Sequence, residues 1–229
     1  MDRDVGTPVA CRRLWLVRHG ETTWDLRGLA AGQAQLPILT ARGMHQSRRC
    51  ASELAAQLQA SPAAAVISSD LRRAVQTARP IARALGLDVV EDRRLRERSL
   101  GAAEGTPAEA IDPARSGVEQ ELEWGLESGR VVDADARPRG GESVRDLYRR
   151  STRFMAELLG GLPRGDVVLV CHAGVVRVVA AWLDGVGPDG MPWASVELGA
   201  ILQRAVTLPA PIAVAPAPIA VAPAPAVAR

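Results

Sequence analysis

Leu14-Trp15-Leu16-Val17-Arg18-His19-Gly20-Glu21-Thr22 begins as a strand and ends as an anion site. Four consecutive apolar residues make a run suited to a strand buried on both faces. No core needs the Arg-His-Gly that follows. Gly20 lets a ligand come close to the backbone. Arg18 offers a planar fork of donors that matches phosphate. His19 is the one residue there able to act as a neutral nucleophile near pH 7.

The rest of the composition bounds what can surround that site. A chain of 229 residues suits one domain of roughly 200 residues with tails. Its hydrophobic fraction of 47% can build a full core, mostly aliphatic because Phe, Trp and Tyr make up only 3%. All 28 basic residues are Arg, and Lys and Asn are absent, which reads as a genomic codon bias. A formal charge of +2, with Arg interleaved among Asp and Glu, is too small for a nucleic-acid footprint. Cys11, Cys50 and Cys171 are scattered and odd in number, so they suggest a reducing compartment and no disulfide framework. The N-terminus lacks an apolar signal core and no run is long enough to span a bilayer. The expectation is a soluble cytoplasmic protein with no nucleic-acid or membrane partner. The sequence leaves a homodimer open.

Along the chain, residues 1–10 read as a flexible tail, 11–208 as one domain, and 209–229 as a Pro/Ala-rich extension. In that extension Pro-Ile-Ala-Val-Ala-Pro-Ala repeats from Pro211 and Pro218, which favours an extended polyproline-like chain over a helix. Residues 23–39 show no periodicity. Thr40 caps a helix to about Gln59, and Ala64–Ser68 is a second strand. Asp70 is placed to cap a helix to about Leu85, which Pro80 would kink or shorten. A short strand spans Asp88–Glu91, and the polar stretch 106–138 holds a helix near Val118–Leu126. Ser143 starts a helix to Leu159, Val167–Val170 is a strand, Val175–Leu183 a helix, and Val196–Leu208 a last strand. Strands that are continuous apolar runs, alternating with helices, predict an α/β three-layer sandwich: a mostly parallel central sheet with helices on both faces. Ligands in such folds sit at the carboxyl ends of the strands, where His19 and His172 both fall.

Three further strings follow in order: Ser68-Ser69-Asp70-Leu71-Arg72-Arg73-Ala74-Val75-Gln76-Thr77-Ala78, then Leu95-Arg96-Glu97-Arg98, then Val170-Cys171-His172-Ala173-Gly174-Val175-Val176-Arg177. With Leu-Val-Arg-His-Gly-Glu-Thr they resemble the motifs of the histidine phosphatase superfamily, the phosphoglycerate mutase-like proteins, in its phosphatase branch. Leu39-Thr40-x-x-Gly43-x-x-Gln46 and Gly140-Gly141-Glu142-Ser143 resemble its structural segments. The resemblance implies a phosphoglycerate mutase-like fold and a phosphohistidine on His19. It selects Arg73 over Arg72 as the phosphate arginine, at a strand-to-helix junction that already favours an anion. It implies Arg18, Arg73, Thr22 and His172 as phosphate ligands and Glu97 as proton donor to the leaving oxygen. The implied activity is metal-independent hydrolysis of a small phosphorylated metabolite. The alternatives are a phosphoglycerate mutase with the same intermediate, or an inactive binding homologue. Three histidines with no carboxylate at ligand spacing point away from a metal, and no cofactor is expected.

The chain departs from the family pattern after Trp24, where Asp25 stands in place of the usual phosphate-binding Asn. A carboxylate would repel phosphate, so either Asp25 turns toward an arginine or the pocket is altered. Leu29 and Ala31 also replace the family's Arg and Gln before Gly32. Cys171 reads as a small buried hydrophobe, or, if exposed beside the cations, as an oxidation-sensitive thiolate. Glu104 reads as structural, and His45 and Arg72 as surface residues. Arg137 and Arg139 read as loop charges that could reach a second anionic group.

Overall fold

Alternation along the strands sets the layers. The computed structural model describes residues 11–111, 118–123, 126–161 and 165–207. In chain order these form β1 (Cys11–Arg18), α1 (Ala41–Gln57), β2 (Ala63–Ser68), α2 (Arg72–Leu85), β3 (Val89–Glu91), β4 (Val118–Glu123), β5 (Leu126–Val131), α3 (Val144–Gly161), β6 (Asp166–Cys171), α4 (Ala173–Leu183) and β7 (Ile201–Thr207). The main sheet has the order β3-β2-β6-β1-β7. All its pairs are parallel except β1 with β7.

Successive strand residues go to opposite faces. Trp15, Val17, Val168 and Val170 pack with α1 and α2 through Leu54, Ala74, Ala78 and Ile81. Leu14, Leu16, Val167 and Leu169 pack with α3 and α4 through Leu147, Met155, Val175 and Val179. Leu16, Val17, Leu169 and Val170 are each 0% exposed, and burying such a side chain contributes about 1.5–3 kcal/mol. The expected sandwich with helices on both faces is the observed architecture.

Several local expectations need correction. Asp70 does not cap α2; Leu71 holds the cap position without a side-chain bond. The Asp70 carboxylate instead pairs bidentately with Arg96, at 2.6 and 2.5 Å, a partner remote in sequence. Pro80 does not end α2, which runs through it to Leu85. Burial of Ala78, Ile81 and Ala82 around it outweighs the one missing backbone bond. The segment from Val118 is a hairpin, β4 paired antiparallel with β5, and not a helix. Glu-rich composition favours helix locally. However, the far end of β5 finds a backbone partner: Val131 N–H donates to Met191 O, and Trp193 N–H to Gly129 O. The last strand begins at Ile201, because the residues just before it are drawn into the site. The expected tails 1–10 and 209–229 lie outside the described residues.

One close approach fixes the first loop. A Cβ on Gly43 would lie 2.1 Å from Glu21 O, and one on Gly20 would lie 2.5 Å from Gly43 O. The first turn of α1 is thus pressed against the backbone that follows His19, and Thr40, its N-cap, also donates to the Glu21 carboxylate at 2.7 Å. Gly43→Ala should destabilise the protein by about 1–3 kcal/mol, the cost of forced overpacking. In thermal denaturation each kcal/mol should lower Tm by roughly 2–4 °C for a chain of this size.

Candidate active site

Three neighbouring strand ends make the floor. Arg18 stands opposite Cys171 and Ser68 opposite Val170 in the parallel registers. Just beyond, His19 N–H donates to Cys171 O at 3.0 Å and Ser69 N–H to Val170 O at 2.9 Å. His19, Ser69 and His172 are therefore brought side by side. The two imidazoles meet edge-on with centroids 5.1 Å apart. His172 Nε2 lies 2.9 Å from Ser69 Oγ.

Arg73 enters from the first turn of α2. It is 1% exposed, and its Nε–H donates to His19 Nε2 at 3.2 Å. Its remaining nitrogens donate to Gly32 O at 2.7 Å and Ala34 O at 3.0 Å. A guanidinium can only donate, so His19 Nε2 is an acceptor and the imidazole proton is on Nδ1. The second contact agrees, since Nδ1–H donates to Gly20 O at 2.8 Å. The lone pair of Nε2 is thus directed at the cationic side of the site. Burial, then Arg73 and Arg18, hold the His19 pKa well below its ordinary value. Burial, then Arg73, does the same to His172. Arg73 itself is lowered to about 10 by burial, opposed by Glu97, Asp25 and Glu104, and so stays charged at neutral pH.

Buried polar atoms normally find a partner. Among the described residues three buried side-chain N/O atoms have none: Arg18 Nε, His172 Nδ1 and Ser151 Oγ. Two of the three belong to this cluster, which is what a site waiting for a polar ligand would leave. Arg18 is held by Nη1 donating to Val196 O.

Glu97, half-buried, accepts from Arg98 N–H at 2.7 Å and from Gly174 N–H, in the first turn of α4, at 3.0 Å. Its backbone is fixed by Arg150, which donates to the carbonyls of Arg94, Arg96 and Glu97 and pairs with Glu142. Thr22 is fully buried, and its hydroxyl donates to Asp25 Oδ2 at 2.5 Å. The same oxygen accepts from Thr22 N–H at 2.7 Å. Asp25 therefore turns to Thr22 rather than to an arginine, although its charge still favours that of Arg73.

The remaining residues sort plainly. Glu104 accepts from Gln33 N–H, Leu100 N–H and Ser99 Oγ–H, which is a structural role. Cys171 is fully buried, and desolvation raises its pKa, so it stays a thiol. Arg72, His45 and Arg139 are exposed, and Arg137 pairs with Asp146 at 2.7 Å. Sequence reasoning missed Arg150, Ser69 and the 196–199 segment, whose Val196 O holds Arg18 and whose Gly199 N–H donates to His19 O at 3.1 Å. Ser69 lay inside a quoted motif without a role; the others carry no local signal. Among the described residues no group of three or more His, Cys, Asp or Glu could hold a metal ion, and no helix is long and apolar enough to cross a membrane.

The depressed histidines have a stability consequence. The unfolded chain takes up protons near the ordinary imidazole value of 6.5, while folded His19 and His172 do so only well below it. Stability therefore falls as pH drops below that value, by up to about 1.4 kcal/mol per unit for each histidine. Tm measured from pH 7 to 5 should fall, and His172→Gln should flatten the slope.

Comparison with known proteins places this constellation. The sequence profile of the histidine phosphatase superfamily (branch 1) matches residues 14–205. The Enterobacter sp. protein named "Probable phosphoglycerate mutase GpmB" is 37% identical over 163 residues, 71% of this chain and 70% of that one. Among solved structures, a mycobacterial glucosyl-3-phosphoglycerate phosphatase in complex with VO3 superposes with a TM-score of 0.68 at 30% identity, covering 84% of this chain and 92% of the other. An Escherichia coli protein provisionally assigned as an alpha-ribazole-5'-P phosphatase gives 0.66 at 27% identity, covering 85% and 90%. The matched span takes in every residue of the cluster from Arg18 to His172, and the chain belongs to the histidine phosphatase superfamily.

Proposed function

We propose that this protein is a metal-independent phosphatase that hydrolyses a small phosphomonoester through a phosphohistidine on His19. The observation that carries the reading is the His19 imidazole, held by Gly20 O with its Nε2 lone pair facing buried Arg73. As Arg73 Nε–H passes from His19 Nε2 to a phosphate oxygen, the freed lone pair attacks phosphorus and the P–O bond to the leaving group breaks. Arg18 Nε and His172 Nδ1, unpartnered, together with Arg73, receive the equatorial oxygens over which transition-state charge spreads. Glu97 gives its proton to the leaving oxygen. In the second step its carboxylate takes a proton from the water that attacks phosphorus, and His19 is released neutral. Two backbone amides stand ready for the charge Glu97 acquires. Thr22 serves this cup by exchanging its bond with Asp25 for one to phosphate.

The substrate class is a phosphorylated metabolite of the kind the neighbouring phosphatases are named for. A second reading, a phosphoglycerate mutase with the same intermediate, is favoured by the names of the curated relatives. Against it stand the solved structures of similar fold that are named as phosphatases. A cytoplasmic location is supported by Cys50 and Cys171, both buried free thiols.

The direct test is phosphate release, with EDTA present, from 3-phosphoglycerate, glucosyl-3-phosphoglycerate, fructose bisphosphates, α-ribazole phosphate and p-nitrophenyl phosphate. EDTA-resistant release that vanishes in His19→Ala is the expected result. Interconversion of 2- and 3-phosphoglycerate without net release would establish the mutase instead. Asp25→Asn keeps an oxygen for Thr22 and removes a negative charge near the phosphate cup, so kcat/KM should be kept or raised. A drop of about tenfold, 1.4 kcal/mol of transition-state stabilisation, would give the carboxylate a role of its own.

A further inference from the structure

Glu97 and His172 come from segments far apart in sequence, yet one helix end holds both. α4 opens with His172 at its cap position, and that side chain makes no capping bond. The first-turn amide of Gly174 is instead taken by Glu97 Oε2 at 3.0 Å, while Oε1 accepts from Arg98 N–H at 2.7 Å. The carboxyl group of Glu97 thus caps the helix that carries the second site histidine.

Gly174 has no conformational reason to be glycine. It does not lie among the positive-φ glycines of the chain. Within a helix glycine is about 1 kcal/mol less favourable than alanine. What its missing side chain provides is room. A Cβ there would stand 2.2 Å from Glu97 Oε1, 3.1 Å from the carboxyl carbon, and 3.1 Å from Leu147 Cδ2. The obstacle at 2.2 Å is the end of a rotatable side chain, so an added methyl displaces Glu97 and leaves the helix standing.

We propose that Gly174 is the positioning residue of the proton donor: its bare Cα and its amide together seat the Glu97 carboxyl against the first turn of α4, in register with His172. This rests on the reading of Glu97 as the acid. It predicts a defect specific to leaving groups that need a proton. Gly174→Ala must swing the carboxyl off both amides, so an alkyl phosphate loses its acid. p-Nitrophenolate departs without one, so formation of the phosphohistidine from the aryl ester should be nearly indifferent, while its hydrolysis, which also uses Glu97, is slowed alike for both esters.

The experiment compares Gly174→Ala, Glu97→Ala and the double variant on the best alkyl phosphate of the panel and on p-nitrophenyl phosphate, with Tm recorded for each. Gly174→Ala should lower kcat/KM on the alkyl ester, which reports the phosphohistidine-forming step alone, at least ~10-fold and up to the roughly 10²–10⁴-fold a general acid contributes. On the aryl ester the loss should be under about threefold. The double variant should be no worse than Glu97→Ala, because the carboxyl that the methyl displaces is gone. Equal losses of kcat/KM on both esters, or losses that multiply in the double variant, would overturn the assignment of Gly174. If Glu97→Ala spares the alkyl ester, the acid reading itself fails. If Glu97→Ala costs and Gly174→Ala does not, only the positioning role is lost. Should the single Gly174 variant not fold, folding of the double variant would locate the clash at the Glu97 carboxyl, and failure of both would refute it.

Discussion

A charged guanidinium pressed against a neutral imidazole is the contact on which the rest of this structure turns. Arg73 is almost completely removed from water, and burying a lone cation is among the costlier things a fold can do. The cost is met without a direct carboxylate pair. Two loop carbonyls, Gly32 O and Ala34 O, take its outer donors, and His19 Nε2 takes the inner one. Negative charge on Glu97, Asp25 and Glu104 acts from further out. The arginine therefore stays ionised and remains available to an anion, which a tight salt bridge would prevent.

The same economy governs the histidines. His19 is neutral because burial and two arginines disfavour its protonated form, and its tautomer is set by contacts on both ring nitrogens. Its main chain is held by β6 on one side and the 196–199 segment on the other, with α1 pressed through Gly43 against the residues that follow it. Carboxylates that would otherwise quench the cations are engaged elsewhere. Asp25 is occupied by Thr22, Glu142 by Arg150, and Glu104 by the amides of Gln33 and Leu100. Arg150 pins the carbonyls of Arg94, Arg96 and Glu97 and so fixes where the Glu97 side chain begins. If Gly174 then fixes where the carboxyl ends, Glu97 is held at both ends by main chain.

Helices were legible because their apolar residues are periodic, and strands because theirs are continuous. Leu14–Val17 and Val167–Val170 read as buried strands since every residue there is apolar, and the cores on both faces follow from that. The hairpin at Val118 was not legible. Its local composition is that of a helix, and the backbone partner at Met191–Trp193 lies some sixty residues away. Asp70 misled for a similar reason: cap chemistry is local, but Arg96 competes for the carboxylate from another loop.

The sequence by itself determined the layered α/β architecture and the strand ends at which His19 and His172 fall, and its resemblance to the family's motifs selected Arg73 over Arg72, because motif and apolar run are written in consecutive residues. Only the tertiary structure decided which nitrogen of His19 carries the lone pair, where the charge of Asp25 goes, and what holds Glu97. Those depend on hydrogen bonds between segments far apart in the chain. A buried donor or acceptor takes whichever partner the packed fold brings within reach, and no local pattern records that partner.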